Sequence, residues 1–206
     1  MKQTLPEESP IDLKAIAERR RWVLSYARKG GIGAELGVFR GHFATVIASE
    51  LAPARLFLVD PWTRLGERFD WGPDPYTNFN ALTTSQALLD TRHRMTPYES
   101  TSDIVYVEDY LECFCSELAR HSDRKLDFVY LDANHSYGRT LEYLQLIDPI
   151  LEPHGVILGD DWIPDVTHQH HGVMRAVNDF VRRADYQIVV AGPDNQFCLR
   201  RTPAYR

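Results

Sequence analysis

What this chain lacks excludes several protein classes. Cysteine occurs three times in 206 residues, as Cys113, Cys115 and Cys198. That is too few, and an odd number, for a disulfide-built scaffold, so free thiols are expected. Cys113 and Cys115 stand two apart, a spacing that on a helix sends the side chains to different faces and argues against a zinc or redox pair. No apolar run approaches the roughly 18 residues of a membrane span. The opening residues carry no apolar segment of a secretory signal, which makes a cytoplasmic location the expectation. Net positive charge is missing as well. The formal charge is −6, which argues against nucleic acid as a partner without excluding a small nucleotide held by local groups.

What is present describes one large globular domain. Hydrophobic residues make up 44% and charged residues 25% of the chain, enough to bury an ordinary core. Residues 11–28 read as a helix with Leu13, Ile16, Val23 and Leu24 on its apolar side and the basic run Arg19–Arg21 on a solvated face. Residues 1–30 thus form a helical extension. Strands are expected at residues 32–36, 56–60, 103–107, 127–131 and 156–158, with helices at 42–51, 85–94, 110–119 and 137–147 between them. A strongly amphipathic helix containing Val173, Ala176, Val177 and Phe180 follows. Two last strands, 187–190 and 196–199, are joined by a hairpin-like turn. Strand–helix alternation of this kind means a doubly wound α/β sandwich with a mostly parallel seven-stranded sheet, here closed by an antiparallel terminal strand. Residues 61–83 lose periodicity and collect Trp62, Phe69, Trp71, Tyr76 and Phe79. They read as a lid-like insertion or as a surface loop with its own small cluster.

Two apolar runs end abruptly in carboxylates. Leu126-Asp-Phe-Val-Tyr-Leu leads into Asp132-Ala-Asn-His135, and Val156-Ile-Leu-Gly leads into Asp160-Asp161-Trp162. Ligands of open parallel sheets bind outside the carboxyl ends of the strands. Asp132, Asp160 and Asp161 are therefore expected at one crevice, with His135 beside them. Crowded carboxylates repel unless a cation holds them, and hard oxygen donors suit Mg2+, Mn2+ or Ca2+. His168, His170 and His171 are read as part of a loop shaping an acceptor pocket.

The other end of the crevice suits an adenosine-containing ligand. Gly37, after the first strand, lets main chain approach closely, and the next helix offers free N–H groups. Asp60 ends the second strand, where an acidic residue commonly accepts from ribose hydroxyls. A dinucleotide fingerprint is missing, since the one Gly-x-Gly, Gly31-Ile-Gly33, precedes the strand. No Gly-Lys-Ser/Thr is present for a triphosphate.

The arrangement Glu35-x-Gly37-x-x-x-Gly41 resembles motif I of class I S-adenosylmethionine-dependent methyltransferases. The terminal antiparallel hairpin fits the same fold. The Asp-Ala-Asn-His-Ser-Tyr and Gly-Asp-Asp-Trp segments, with His171-Gly-Val-Met-Arg-Ala-Val, are similar to the methyltransferase-24 type, related to magnesium-dependent O-methyltransferases of sugars and natural products. The likeness runs from about residue 31 to 200. It implies S-adenosylmethionine contacts at Glu35, Gly37, Gly41, Asp60 and Trp62, with Glu108 and Asp109 near the adenine. It implies a cation on Asp132, Asp160 and Asp161, with Asp132 and His135 catalytic and His135 as general base. The implied reaction is O-methylation of a small polyhydroxylated acceptor. An NAD(P)-dependent oxidoreductase and a non-catalytic nucleotide-binding protein are the alternatives. A homodimer through the N-terminal helix or the lid is left open by composition.

Overall fold

The computed structural model describes residues 10–120 and 125–203. Seven strands form one sheet in the order β3-β2-β1-β4-β5-β7-β6. They are β1 (Ile32–Leu36), β2 (Arg55–Asp60), β3 (Asp103–Glu108), β4 (Leu126–Leu131), β5 (Leu151–Gly159), β6 (Tyr186–Ala191) and β7 (Phe197–Arg201). The first five are parallel, and β7 runs antiparallel to both β5 and β6. The expected class, a doubly wound and mostly parallel seven-stranded sheet with an antiparallel terminal strand, is the one observed.

Helices cover both faces. The helices α1 (Leu13–Arg20), α2 (His42–Leu51) and α3 (Thr84–Met95) share one apolar core with Leu56, Leu58, Phe128 and Tyr130. The helices α4 (Leu111–Ala119), α5 (Tyr137–Ile147) and α6 (His171–Arg183) share the other with Leu36, Val129, Ile157 and Phe197. Strand residues alternate between these two cores because successive side chains point to opposite faces. The chain proceeds from β1 outward to β3 and then returns to place β4 on the other side of β1. The order reverses between β1 and β4, and this switch point opens the ligand crevice.

Three sequence expectations need correction. The N-terminal helix is not continuous, since α1 stops at Arg20 and Arg21–Tyr26 winds as a 3-10 helix. Trp22, Val23 and Tyr26 lose rotamer freedom in an α-helix, and the tighter winding buries Val23 and Leu24 side by side. The Arg19–Arg21 run is not simply a solvated face, because Arg20 turns inward. Strand β5 begins at Leu151 rather than Val156, and Pro153 to Gly155 form an irregularity within it where the register against β4 shifts.

In the segment 61–83, short 3-10 turns occupy Trp62–Leu65 and Pro75–Thr77. Phe69 stacks on Trp71 at 4.5 Å and meets Phe39 edge-on at 5.2 Å. Trp71 and Phe79 remain exposed.

Candidate functional site

The carboxyl ends of β4 and β5 deliver Asp132, Asp160 and Asp161 to one place. An oxygen from each lies within 4.8 Å of the other two. The backbone makes this happen: Asp132 N–H donates to Leu36 of β1 and Asp160 N–H to Leu131 of β4, so the ladder continues past the strand ends. Asp161 then takes a left-handed conformation at φ 63°. A non-glycine residue there carries strain of the kind that gathers at functional turns.

A guanidinium sits among these carboxylates. Arg20, the last residue of α1, donates from Nη1 to Asp132 Oδ2 at 2.9 Å and pairs through Nη2 with Asp160 Oδ2. Burial works against the charge on Arg20, but Asp132, Tyr130, Asp160 and Asp161 outweigh it and hold the group firmly protonated. The reverse bookkeeping applies to the acids. Burial tends to raise Asp132, yet Arg20 and His135 overcome this and bring it down to about 2. Asp160 goes the other way: its burial and the charge of Asp132 push it well above the ordinary range, and Arg20 only partly offsets them. One guanidinium cannot fully compensate two carboxylates, so the more deeply buried acid favours its proton.

Asp160 is also fixed from behind. Gln196, fully buried at the start of the hairpin return, donates from Nε2 to Asp160 Oδ1 at 2.5 Å and accepts from the Tyr130 hydroxyl at 2.8 Å. A buried amide with both ends engaged is a strong orienting device.

His135 stands beside this cluster on the turn before α5. Its Nε2 lies 3.4 Å from Asp132 Oδ1 and 3.2 Å from Asp161 Oδ2. Burial disfavours its charged form, but the hydrogen bond and charge of Asp132, with Asp161 and Asp160 behind, prevail and raise its pKa. His170 packs against it with ring centroids 4.1 Å apart and places Nδ1 3.0 Å from Asp161 Oδ2. His135, Asp161 and His170 therefore make a second convergent trio, of mixed nitrogen and oxygen donors. His168 accepts from the His170 N–H, while His171 Nδ1 lies 2.9 Å from the Ile163 carbonyl oxygen. A cavity of about 380 Å3 opens next to these groups, lined by Arg20, Tyr76, Asp160, Asp161, His168 and His170 among others.

The glycine-turn end is built differently. Gly37 has φ 89°, and a Cβ there would lie 1.8 Å from the Asp132 carbonyl oxygen. Glycine is thus required by the close approach of the turn after β1 to the main chain leaving β4. Gly41 has φ 73°, and its missing Cβ makes room for Thr91 of α3. Asp60 is buried and accepts from Val38 N–H and Phe39 N–H through Oδ2, at 3.0 and 2.9 Å, and from Trp62 N–H through Oδ1 at 2.9 Å. Burial raises its pKa against the pull of these three donors. Trp62 lies wholly inside the core, its indole N–H donating to the Phe39 carbonyl at 2.8 Å. Its side chain is therefore a pillar under the turn and presents no surface to a ligand. Glu108 accepts from the Thr63 hydroxyl, and Asp109 lies 3.5 Å from the Arg64 guanidinium. Both acids are tied to the turn after β2. Glu35, almost fully buried, has Oε2 without a hydrogen-bond partner. Its burial, with Asp132 and Asp60 nearby, lifts its pKa far above normal despite Arg20.

Two members of the site were not found from the sequence: Arg20 was hidden in a basic run and Gln196 in an apolar strand entry. His170, read as part of a loop shaping an acceptor pocket, lines the cavity and packs against His135. The signal that would have exposed Gln196 is a lone amide between residues otherwise fit for a buried strand. Arg20 has no comparable local signal.

No curated protein matches the sequence. Among solved structures, the O-methyltransferase TomG of Streptomyces achromogenes, involved in tomaymycin synthesis and in complex with SAM, is 19% identical, with 92% of this chain and 79% of that chain covered at TM-score 0.58. The calicheamicin methyltransferase CalS11 is 20% identical, with coverages of 92% and 78% at TM-score 0.59. An rRNA methylase of Streptococcus thermophilus is 13% identical, with coverages of 89% and 94% at TM-score 0.55. At such identities the likeness concerns the fold. The sequence itself matches the family model described as a methyltransferase domain over residues 34–162, more than half of the chain and the stretch holding both the glycine turn and all three carboxylates. The chain belongs to this methyltransferase-24 family and has the fold of class I S-adenosylmethionine-dependent methyltransferases.

Proposed function

We propose that this protein transfers the methyl group of S-adenosylmethionine to a hydroxyl of a small polyhydroxylated acceptor, a sugar or secondary metabolite, with His135 as the base. The observation that carries the reading is the imidazole held by Asp132 and Asp161, the second of which lines the cavity together with His170, the ring packed against His135. The cavity's size, about 380 Å3, falls in the range of small-molecule sites, and the chain's net charge of −6 suits such an acceptor better than RNA.

The residues at the β1–β4 switch point fit the cofactor. The buried and unpartnered Glu35 Oε2 is a group whose desolvation calls for a polar partner. The cofactor's ammonium and ribose hydroxyls are partners of that kind. S-Adenosylmethionine supplies the methyl group on a sulfonium, and the protein's own groups do the rest. Methyl transfer is an in-line displacement, so alignment of the acceptor oxygen is the first requirement. Asp132 and Asp161 both lie against Nε2 of His135, which favours the proton on that atom and leaves Nδ1 as the basic one. The acceptor hydroxyl gives its proton to Nδ1 as the new oxygen–carbon bond forms. Tyr76, which segment 61–83 contributes to the cavity lining, helps to exclude water and packs on the acceptor.

A divalent cation was the second expectation, and hard carboxylate oxygens in the right number are present. They do not form a free cage, because two of the three are engaged by Arg20.

Isothermal titration with S-adenosylhomocysteine should give one-to-one binding. Methyl-labelled cofactor incubated with a panel of sugars and phenols should label an acceptor at oxygen. Absence of cofactor binding, or labelling at nitrogen alone, would overturn the reading.

A further inference from the structure

We propose that Arg20 is a resident cation of this active site, standing between Asp132 and Asp160 where a divalent ion would otherwise sit, so that the protein works without metal. The inference rests on the methyl-transfer reading for its catalytic meaning, but not for its structural content.

Three features support it. The first is position. Arg20 reaches both acids from a single guanidinium, one terminal nitrogen to each. Mg2+ needs oxygen ligands at 2.0–2.1 Å in near-ideal octahedral geometry. The guanidinium nitrogens lie within hydrogen-bonding reach of the oxygens such an ion would bind, and two positive charges at that spacing repel. The second is anchorage. Arg20 ends a helix whose Ala17 is buried in the core and whose Ile16 and Arg19 border the cavity. The helix packs on α2, so Arg20 is not a surface side chain that happened to fold inward. The third is complementarity. The residue keeps its charge at every working pH and donates to Asp132, the carboxylate that also lies against His135.

A guanidinium can also do part of what a metal does for a hydroxyl acceptor. It has five N–H donors in a fixed fork, and the two contacts to Asp132 and Asp160 leave others for a ligand. Arg20 lines the cavity, which leaves those donors open to an acceptor held there. Charge-assisted N–H donors stabilise such an oxygen without supplying a vacant coordination site. Arg20 is thereby a catalytic residue through the acceptor and a positioning residue through Asp132.

The test is calorimetric titration of the whole protein with MgCl2 alone. Wild type should show no saturable binding and no rise in melting temperature. Arg20→Met, which keeps an apolar stem and removes the charge, should acquire one-equivalent Mg2+ binding with affinity at least about tenfold above any wild-type signal. That binding should vanish in Arg20→Met combined with Asp160→Asn. One-equivalent Mg2+ binding by wild type overturns the proposal whatever the variants do, and so does a cooperatively melting Arg20→Met that fails to bind Mg2+. Titration with S-adenosylhomocysteine is run in parallel. Its failure would remove the methyltransferase reading, whereas the Mg2+ result would stand by itself.

Discussion

The two ends of the crevice use acidic residues in opposite ways. At the glycine turn, Asp60 accepts three hydrogen bonds, all from main-chain N–H groups of Val38, Phe39 and Trp62. At the ends of β4 and β5, Asp132, Asp160 and Asp161 face side chains: Arg20, Gln196, His135 and His170. Main-chain partners cannot be exchanged without unfolding the turn. Side-chain partners can rotate, change protonation or give way to a ligand. A carboxylate at a strand end is thus a structural anchor in one case and a chemical group in the other, and the nature of its donors tells which.

This contrast can be broken experimentally. The largest effect is expected for His135→Ala, which removes the proposed base and should lower turnover by roughly 10²–10⁴-fold with cofactor binding retained in a calorimetric titration. In wild type the same residue should give a pH–rate profile with an acid limb. A raised pKa means that His135 stays protonated, and unable to accept, until the pH exceeds a midpoint above its ordinary 6.5. Turnover should therefore rise with pH through that point. A flat profile between pH 5 and 8 in the His135 protein would remove it as the base.

Asp60→Ala comes next and should act on stability. It strands three N–H groups in a buried turn, at a cost of roughly 2–4 kcal/mol, read as a lower urea midpoint. Should Asp60→Ala melt like wild type yet lose cofactor affinity, Asp60 would belong with the chemical carboxylates and the contrast would collapse. The smallest effect is expected for Gln196→Leu. The Tyr130 hydroxyl and Asp160 each lose a partner, for about 1–3 kcal/mol, and the altered hold on Asp160 should appear in kcat more than in cofactor affinity.

The sequence made the sheet legible because short continuous apolar runs bounded by glycine, proline and aspartate read as parallel strands buried on both faces. Residues 32–36, 42–51 and 137–147 form the elements their patterns predict. Strand β5 was read short since Pro153 and Gly155 signal a turn, whereas here they form an irregularity that β4 accommodates. The orientation of Trp62 was not legible for a related reason. An aromatic after a strand end can face a ligand or the core, and local pattern is silent on which. Here it packs into the core and its indole N–H donates to the Phe39 carbonyl.

By itself the sequence determined the layered architecture, the strand ends that carry Asp132, Asp160 and Asp161, and the spacing that sets His135 beside them. These depend on local periodicity and on the rule that parallel strands release their ligands at one edge. Only the tertiary structure decided what those acids meet. Arg20 lies 112 residues from Asp132, and Gln196 arrives from an antiparallel strand beyond β5. Helical periodicity states which face a residue occupies. Which charge it will find there depends on how α1 packs against the rest of the molecule.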